Sequence, residues 1–202
     1  MNFDEVFAKN PVIAILRGIT AAEIPSVCDA LDENGIKLLE IPLNTPDALA
    51  CIACAVRHTA GRQLVGAGTV LTPEEVEKVH AAGGRFIISP NTDAAVIRRT
   101  GELNMVSIPG FLTPSEGFSA MAAGADYLKL FPAGAMGTGY IKDIKAVIKK
   151  PILAVGGVGP ENLSEFMKVC AGAGIGSALY KPGKSLEEIR STARKLAEAA
   201  KK

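Results

Sequence analysis

The chain has 202 residues, of which 48% are hydrophobic and 21% are charged, and its formal net charge is +1. That composition is ordinary for one globular domain with a sizeable core, and the near-neutral charge argues against nucleic acid or an anionic membrane as the main partner. Apolar runs stay short of the ~18 residues of a membrane span, and the first residues carry no secretion signal, so we expect a cytoplasmic protein.

Predicted strands and helices alternate along the whole chain. A helix is expected at residues 3–9, and eight short β-branched or leucine-rich segments then recur roughly every 20 to 25 residues, a spacing that suits strand-plus-helix units. The eight predicted strands are residues 12–16, 37–41, 64–66, 86–89, 105–108, 127–131, 152–155 and 173–177. This alternation predicts a parallel sheet with helical crossovers.

Most predicted helices have a recognisable first turn. In four of them a threonine or serine precedes a glutamate three positions later, which is the capping-box pattern: Thr20, Thr72, Thr113 and Ser185. Four prolines suit a first helical position, because the N–H that proline lacks would be unpaired there: Pro46, Pro73, Pro114 and Pro160. Glycines end several helices before the next strand.

Eight strand-plus-helix units within residues 1–202 predict one (β/α)8 TIM-barrel domain, with the N-terminal helix across the bottom of the barrel. A doubly wound open sheet is the alternative, but no Gly-x-Gly-x-x-Gly follows the first predicted strand. Cys51 and Cys54 have redox or metal spacing in an alanine-rich helical stretch. Without a second pair or a suitably spaced histidine, they are expected to pack between helices rather than to bind a metal.

Lys129 lies in the middle of the sixth predicted strand. Alternation along the strand places Tyr127, Lys129 and Phe131 on one face and two leucines on the other. Burial between aromatic side chains lowers the pKa of a lysine, and the neutral amine can then attack a carbonyl. The alternative is an ordinary lysine whose ammonium group reaches solvent from a strand end.

Polar side chains also follow three other predicted strands, at the edge where barrel enzymes carry their catalytic groups. Arg17 is in phase with the alternating apolar positions of the first strand, Glu40 is in phase with Leu38 in the second, and Thr69 follows the small residues that end the third. If these faces point inward, all three side chains share a cavity with Lys129. A structural ion pair between Glu40 and Lys129 is the alternative.

Glycine-rich loops follow the seventh and eighth predicted strands, at Gly156-Gly157 and Gly176-Ser177. Glycine lets backbone N–H groups approach an anion closely, and these two loops commonly hold phosphate in barrels. Lys129 supplies an amine that can attack a ketone, and Glu40 supplies a carboxylate for proton transfer. Arg17 can bind a substrate carboxylate. The predicted ligand is therefore a phosphorylated 2-keto acid.

Five ordered motifs resemble the class I aldolases that act on 2-keto-3-deoxy-6-phosphosugar acids: LLEI (38–41), GAGTV (66–70), ISP (88–90), LKLFP (128–132) and GGV (156–158). The resemblance covers residues 11–183. It implies that Lys129 forms a Schiff base and that Glu40 is the general acid and base. It also implies substrate contacts from a wider set: Arg17, Thr69, Pro90, Phe131 and Val155, with phosphate at Gly156, Gly157, Gly176 and Ser177.

Within that family, AILRGI (14–19) and IPLNT (41–45) are similar to the galactonate branch. Val155 stands where gluconate enzymes have a threonine, and a valine side chain cannot form a hydrogen bond to the substrate C4 hydroxyl. The resemblance implies a homotrimer that cleaves 2-dehydro-3-deoxy-6-phosphogalactonate to pyruvate and glyceraldehyde 3-phosphate without a metal or other cofactor. The alternatives are the gluconate substrate or 4-hydroxy-2-oxoglutarate, a cofactor-free phosphosugar isomerase or epimerase, and a non-catalytic phosphometabolite-binding protein.

Overall fold

Parallel strands and helices alternate through the fold, which is described for residues 1–201 by a computed structural model. The strands are β1 (Val12–Ile15), β2 (Leu38–Pro42), β3 (Leu64–Gly68), β4 (Phe86–Ile88), β5 (Val106–Ile108), β6 (Gly110–Phe111), β7 (Leu128–Leu130), β8 (Ile152–Val155) and β9 (Gly172–Ile175). The helices are α1 (Phe3–Lys9), α2 (Ile24–Glu33), α3 (Ala48–Thr59), α4 (Pro73–Ala81), α5 (Ala94–Glu102), α6 (Pro114–Ala122), α7 (Ala133–Ile144), α8 (Leu163–Met167) and α9 (Leu186–Ala199).

The strands form one sheet in the order β5-β4-β3-β2-β1-β9-β8-β7-β6. Its two end strands, β5 and β6, are consecutive in the chain and are separated only by Pro109, which has no N–H to donate to a ladder. The Pro109 carbonyl accepts the Lys129 N–H at 2.8 Å, and the Ser107 carbonyl accepts the Tyr127 N–H at 3.1 Å. The sheet is thus a nearly closed barrel of eight strand positions, and the predicted (β/α)8 fold is confirmed.

Helix α1 closes the bottom of the barrel, and its bounds agree with the prediction. The Phe3 ring lies 5.4 Å from the rings of both Phe86 and Tyr127, and the Phe7 ring lies 5.1 Å from that of Tyr127. Such aromatic pairs each contribute about 0.5–1.5 kcal/mol beyond the area that they bury. The amino ends of the strands are therefore sealed, and the open end of the barrel is the carboxyl end.

The alternation of side chains along each strand determines which of them point into the barrel. Ile13, Leu38 and Leu153 pack with α1 in the lower barrel interior, whereas their strand neighbours pack outward against the helices. Because side chains two positions apart share a face, Glu40 follows Leu38 inward and Val155 follows Leu153. The barrel interior is apolar at the bottom and becomes polar toward the top.

Helix starts agree with the prediction only in part. Capping boxes are present at Thr72, Thr113 and Ser185. Thr20 is not a helix cap: its N–H and hydroxyl both donate to the Glu23 carboxylate, and α2 begins only at Ile24. The predicted helix starts at Pro46 and Pro160 are wrong, because α3 and α8 begin two and three residues later and both prolines lie in turns. Proline suits the first position of a turn as well as that of a helix.

The four cysteines are free thiols. Burial raises the pKa of Cys28 to about 12 and that of Cys170 to about 11, so both are unreactive thiols. On α3, Cys51 and Cys54 donate to the carbonyls of Ile19 and Ala21 and so tie the helix to the loop after β1. Within residues 1–201, no helix has the length and apolar character needed to cross a membrane.

Candidate active site

Lys129 is the central residue of β7 and points into the barrel. Its backbone is in register with Gly110 and Leu153, so the strand is held on both sides. The residue is only 7% exposed, and its Nζ lies 5.1 Å from the centroid of the Phe131 ring. Burial lowers the pKa of Lys129, the Glu40 carboxylate raises it in part, and Arg17 lowers it further. The site therefore favours the neutral, nucleophilic amine.

Glu40 lies in β2, where its backbone is in register with Ile15 and Gly66. The residue is 2% exposed, and its Oε2 atom has no hydrogen-bond partner among residues 1–201. Its carboxylate lies over Gly68, where the Cβ of any larger residue would be 1.5 Å from Oε1. A glycine at position 68 therefore makes room for this carboxylate.

Burial raises the pKa of Glu40, whereas the charges of Lys129 and Arg17 lower it in part. Burial thus disfavours the charged forms of both the Glu40 carboxyl group and the Lys129 amine, and the charge of each group partly offsets this effect on the other. Among the ion pairs of residues 1–201, none joins Glu40 to Lys129 within 4.0 Å. A titratable pair of this kind is suited to general acid–base catalysis beside a nucleophile.

Arg17 follows β1 and is exposed to solvent. The next residue, Gly18, has a φ of 79° and donates its N–H to the Thr45 Oγ1 at 3.0 Å. Thr45 is only 4% exposed and follows β2. The loop that carries Arg17 is therefore anchored to the loop that follows Glu40.

An open cavity of about 680 Å³ occupies one side of the carboxyl end of the barrel. Seven of the predicted site residues line it: Arg17, Phe131, Val155, Gly156, Gly157, Gly176 and Ser177. Glu40 and Lys129 do not line this cavity. Both are buried, and Phe131 connects them to the cavity, because it lines the cavity and its ring lies 5.1 Å from the Lys129 Nζ.

Thr69 and Pro90 are placed apart from this cavity, after β3 and β4, which are across the barrel from β8 and β9. Thr69 is half-buried and has a φ of 56°. A β-branched residue in the left-handed region is strained, typically by about 1–3 kcal/mol, and such strain concentrates at functional sites. Pro90 is exposed at the end of β4.

Three carbonyl groups of the glycine loops after β8 and β9 accept hydrogen bonds from within the protein. The Gly156 carbonyl accepts the Gly134 N–H at 2.8 Å, the Gly157 carbonyl accepts the Asn162 Nδ2 at 2.9 Å, and the Gly176 carbonyl accepts the Leu179 N–H at 2.8 Å. In a trans peptide the next N–H points the opposite way from the carbonyl. The N–H groups that follow therefore point away from these hydrogen-bond partners.

Several residues in these same loops line the cavity but were not predicted as site residues from the sequence. Asn162 both lines the cavity and fixes the loop after β8, because its Oδ1 accepts the Gly159 N–H at 2.9 Å. Tyr180 and Lys181 line the cavity beyond the end of β9. The Asn162 side chain could have been found as a turn-forming residue shortly after a Gly-Gly pair, whereas Lys181 carries no local signal.

A family model described as KDPG and KHG aldolase matches residues 3–192. The chain is 45% identical over 188 residues to the 2-dehydro-3-deoxy-6-phosphogalactonate aldolase of Escherichia coli strain K12, and the match covers 92% of each chain.

Solved structures agree with these sequence matches. A structure described as native KDPGal has a TM-score of 0.91 and 43% identity and covers 94% of this chain and 93% of that one. A KDPG aldolase from Legionella pneumophila, with pyruvate captured at low pH as a covalent carbinolamine intermediate, has a TM-score of 0.84 and 28% identity. That match covers 99% of this chain and 97% of the Legionella chain.

Proposed function

The chain belongs to the KDPG and KHG aldolase family of lyases, and from that membership we propose that it is a class I aldolase that cleaves 2-dehydro-3-deoxy-6-phosphogalactonate to pyruvate and glyceraldehyde 3-phosphate. The observation that carries the proposal is the buried amine of Lys129, with its lowered pKa, in the same barrel interior as the buried carboxyl of Glu40. A purely structural lysine would not explain why that interior also holds a carboxylate oxygen without a hydrogen-bond partner among residues 1–201.

The proposed cycle begins when the Lys129 amine attacks the C2 ketone and forms a carbinolamine. Glu40 then donates a proton to the C2 hydroxyl, which leaves as water, and the protonated imine forms. This cation is the electron sink for the next step. The Glu40 carboxylate that this dehydration leaves accepts the proton of the C4 hydroxyl. The C3–C4 bond then breaks, its electron pair enters the enamine of pyruvate, and the aldehyde of glyceraldehyde 3-phosphate is released.

The second half of the cycle returns the enzyme to its starting state. Glu40 helps to deliver a proton to the enamine carbon, which regenerates the imine of pyruvate. Water then adds to that imine, the C2–nitrogen bond breaks to free pyruvate and the neutral Lys129 amine, and the proton that is released returns to the Glu40 carboxylate. One titratable carboxyl can serve both half-reactions, because the step that consumes its proton is followed by a step that restores it.

The same proposal assigns the substrate contacts. Arg17 binds the C1 carboxylate with its planar guanidinium, together with Thr69. Pro90, Phe131 and Val155 line the carbon chain, and Gly156, Gly157, Gly176 and Ser177 hold the phosphate through backbone N–H groups. The open cavity of about 680 Å³ that Arg17, Phe131, Val155 and the glycine loops line supports their part of this assignment, whereas the contacts of Thr69 and Pro90 are proposed from family membership. We further propose that the chain acts as one (β/α)8 domain in a cytoplasmic homotrimer.

The substrate assignment is tested by a side-by-side cleavage assay that follows pyruvate release. The galactonate substrate, its gluconate epimer and 4-hydroxy-2-oxoglutarate are compared at equal concentrations. The proposal predicts the highest kcat/KM for the galactonate compound, because Val155 offers no hydrogen bond to the C4 hydroxyl of the gluconate epimer. A higher value for the gluconate compound would reassign the substrate, and no pyruvate from any of the three would reject the aldolase.

A further inference from the structure

The first turn of α7 rests directly on the glycine loop after β8. The Gly134 N–H donates to the Gly156 carbonyl at 2.8 Å. Gly134 is five residues beyond Lys129 in the chain, through the end of β7 and Pro132. One short segment therefore carries the amine at one end and contacts the proposed phosphate loop at the other.

The contact between Gly134 and this loop is between backbones. A Cβ on Gly134 would lie 2.9 Å from the Gly157 Cα, 3.0 Å from the Gly157 carbonyl oxygen and 3.1 Å from the Gly156 carbonyl oxygen. Conversely, a Cβ on Gly157 would lie 3.1 Å from the Gly134 Cα. No flexible side chain lies between them to absorb an overlap, so a larger residue at position 134 must move the loop itself.

Gly134 is not among the glycines with a positive φ. Any residue could adopt its backbone conformation, and alanine has the higher helix propensity. Conformational freedom therefore does not explain a glycine at position 134. The close approach to Gly156 and Gly157 does explain it.

We infer that Gly134 is a positioning residue that sets the distance between the Lys129 amine and the phosphate-binding loop. Efficient cleavage then requires a substrate whose phosphate lies at the matching distance from its ketone. This inference rests on the proposed function. Gly134 touches no reacting atom and acts through the backbone of Gly156 and Gly157. Binding energy from the phosphate reaches the reacting carbons only when this spacing is right.

The test compares Gly134→Ala with the matched control Gly139→Ala. Gly139 is also in α7 and also exposed, and a Cβ there would meet nothing within 4 Å. Each variant is measured in two assays. The first is cleavage of 2-dehydro-3-deoxy-6-phosphogalactonate, which needs the phosphate loop. The second is borohydride trapping of pyruvate on Lys129 as a function of pyruvate concentration, which uses the amine without any phosphate.

For Gly134→Ala we expect kcat/KM for cleavage to fall by at least about tenfold, because a misplacement of ~1 Å can cost about a hundredfold. Trapping of pyruvate should stay within about twofold of the unmodified protein. Gly139→Ala should match the unmodified protein in both assays. Trapping in the unmodified protein also checks the proposed function separately.

Three outcomes would overturn the inference. Equal kcat/KM for the two variants would remove it while leaving the aldolase intact. A parallel loss of trapping and cleavage in Gly134→Ala would also remove it, because the effect would then not be confined to the phosphate end. No trapping in the unmodified protein would remove the proposed function, and the inference with it.

Discussion

The contact between Gly68 and Glu40 leads to a sharp prediction about catalysis. In Gly68→Ala the new Cβ would lie 1.5 Å from the Glu40 Oε1. Nonbonded atoms in ordinary contact are about 3.5 Å apart, so the carboxylate must move by about 2 Å. Because a shift of ~1 Å in a catalytic group can cost about a hundredfold, we expect kcat to fall by at least about 100-fold.

The same substitution is expected to leave the protein folded. Insertion of a methyl group into a packed interior typically costs about 1–3 kcal/mol. The Glu40 Oε2 atom has no hydrogen-bond partner among residues 1–201, so its movement breaks no protein hydrogen bond of that oxygen. The free energy of unfolding, measured with denaturant, should therefore decrease by no more than this range.

The assay is pyruvate release from the phosphorylated substrate, with Gly101→Ala as the matched control. Gly101 is an exposed glycine in α5, and a Cβ there would meet nothing within 4 Å. The control should keep the kcat of the unmodified protein. If folded Gly68→Ala also kept a normal kcat, the role of Glu40 in proton transfer would have to be abandoned.

Three further predictions concern Glu40, Lys129 and the residues around them. The Glu40 charge raises the pKa of Lys129, whereas the Arg17 charge lowers it. The pH above which borohydride can trap pyruvate on Lys129 should therefore decrease in Glu40→Gln and increase in Arg17→Gln. The double variant Glu40→Leu, Lys129→Met should lose cleavage but gain about 1–4 kcal/mol in the free energy of unfolding measured with denaturant, because burial opposes ionisation of both original groups and the apolar replacements carry no such cost. Thr45→Val removes the acceptor of the Gly18 N–H beside Arg17 and should raise the half-saturating pyruvate concentration in trapping by about tenfold, whereas Thr45→Ser should restore it.

Each of these has a result that would contradict it. Shifts in the same direction for the two single charge variants would mean that Arg17 and Glu40 do not act oppositely on Lys129. A double variant less stable than the original would mean that the buried charges stabilise the fold. Equal weakening by Thr45→Val and Thr45→Ser would show that the hydroxyl is not the relevant group. Thr100→Val, which alters another buried threonine, should leave pyruvate trapping unchanged.

The parts of the fold that the sequence predicted are those with a strict period. Alternation in β1, β2 and β7 fixes which side chains point inward, because a shift by one residue would expose the apolar face. The capping boxes at Thr72 and Thr113 were also predictable from the sequence, because the threonine and the glutamate that form each box are only three residues apart. Proline was a poorer guide at Pro46 and Pro160, since it suits turns and helix starts alike.

The rest depends on contacts between segments distant in sequence. The division of the fifth strand at Pro109 follows from how the sheet closes, and the hydrogen bond between Gly18 and Thr45 joins two different loops. The close approach of Gly134 to Gly157 leaves no local pattern, because glycine is also common in turns and at helix ends where no second backbone comes near. Burial, which shifts the pKa of Lys129, likewise exists only once the barrel has formed.

In the proposed reaction the amine of Lys129 becomes covalently bound to the keto carbon of the substrate. The most direct measurement treats the active protein with pyruvate and borohydride, digests it, and identifies the modified peptide by mass spectrometry. We expect one reduced pyruvyl adduct, on Lys129. An active protein that carries no adduct, or carries it on a different lysine, would show that Lys129 is not the nucleophile.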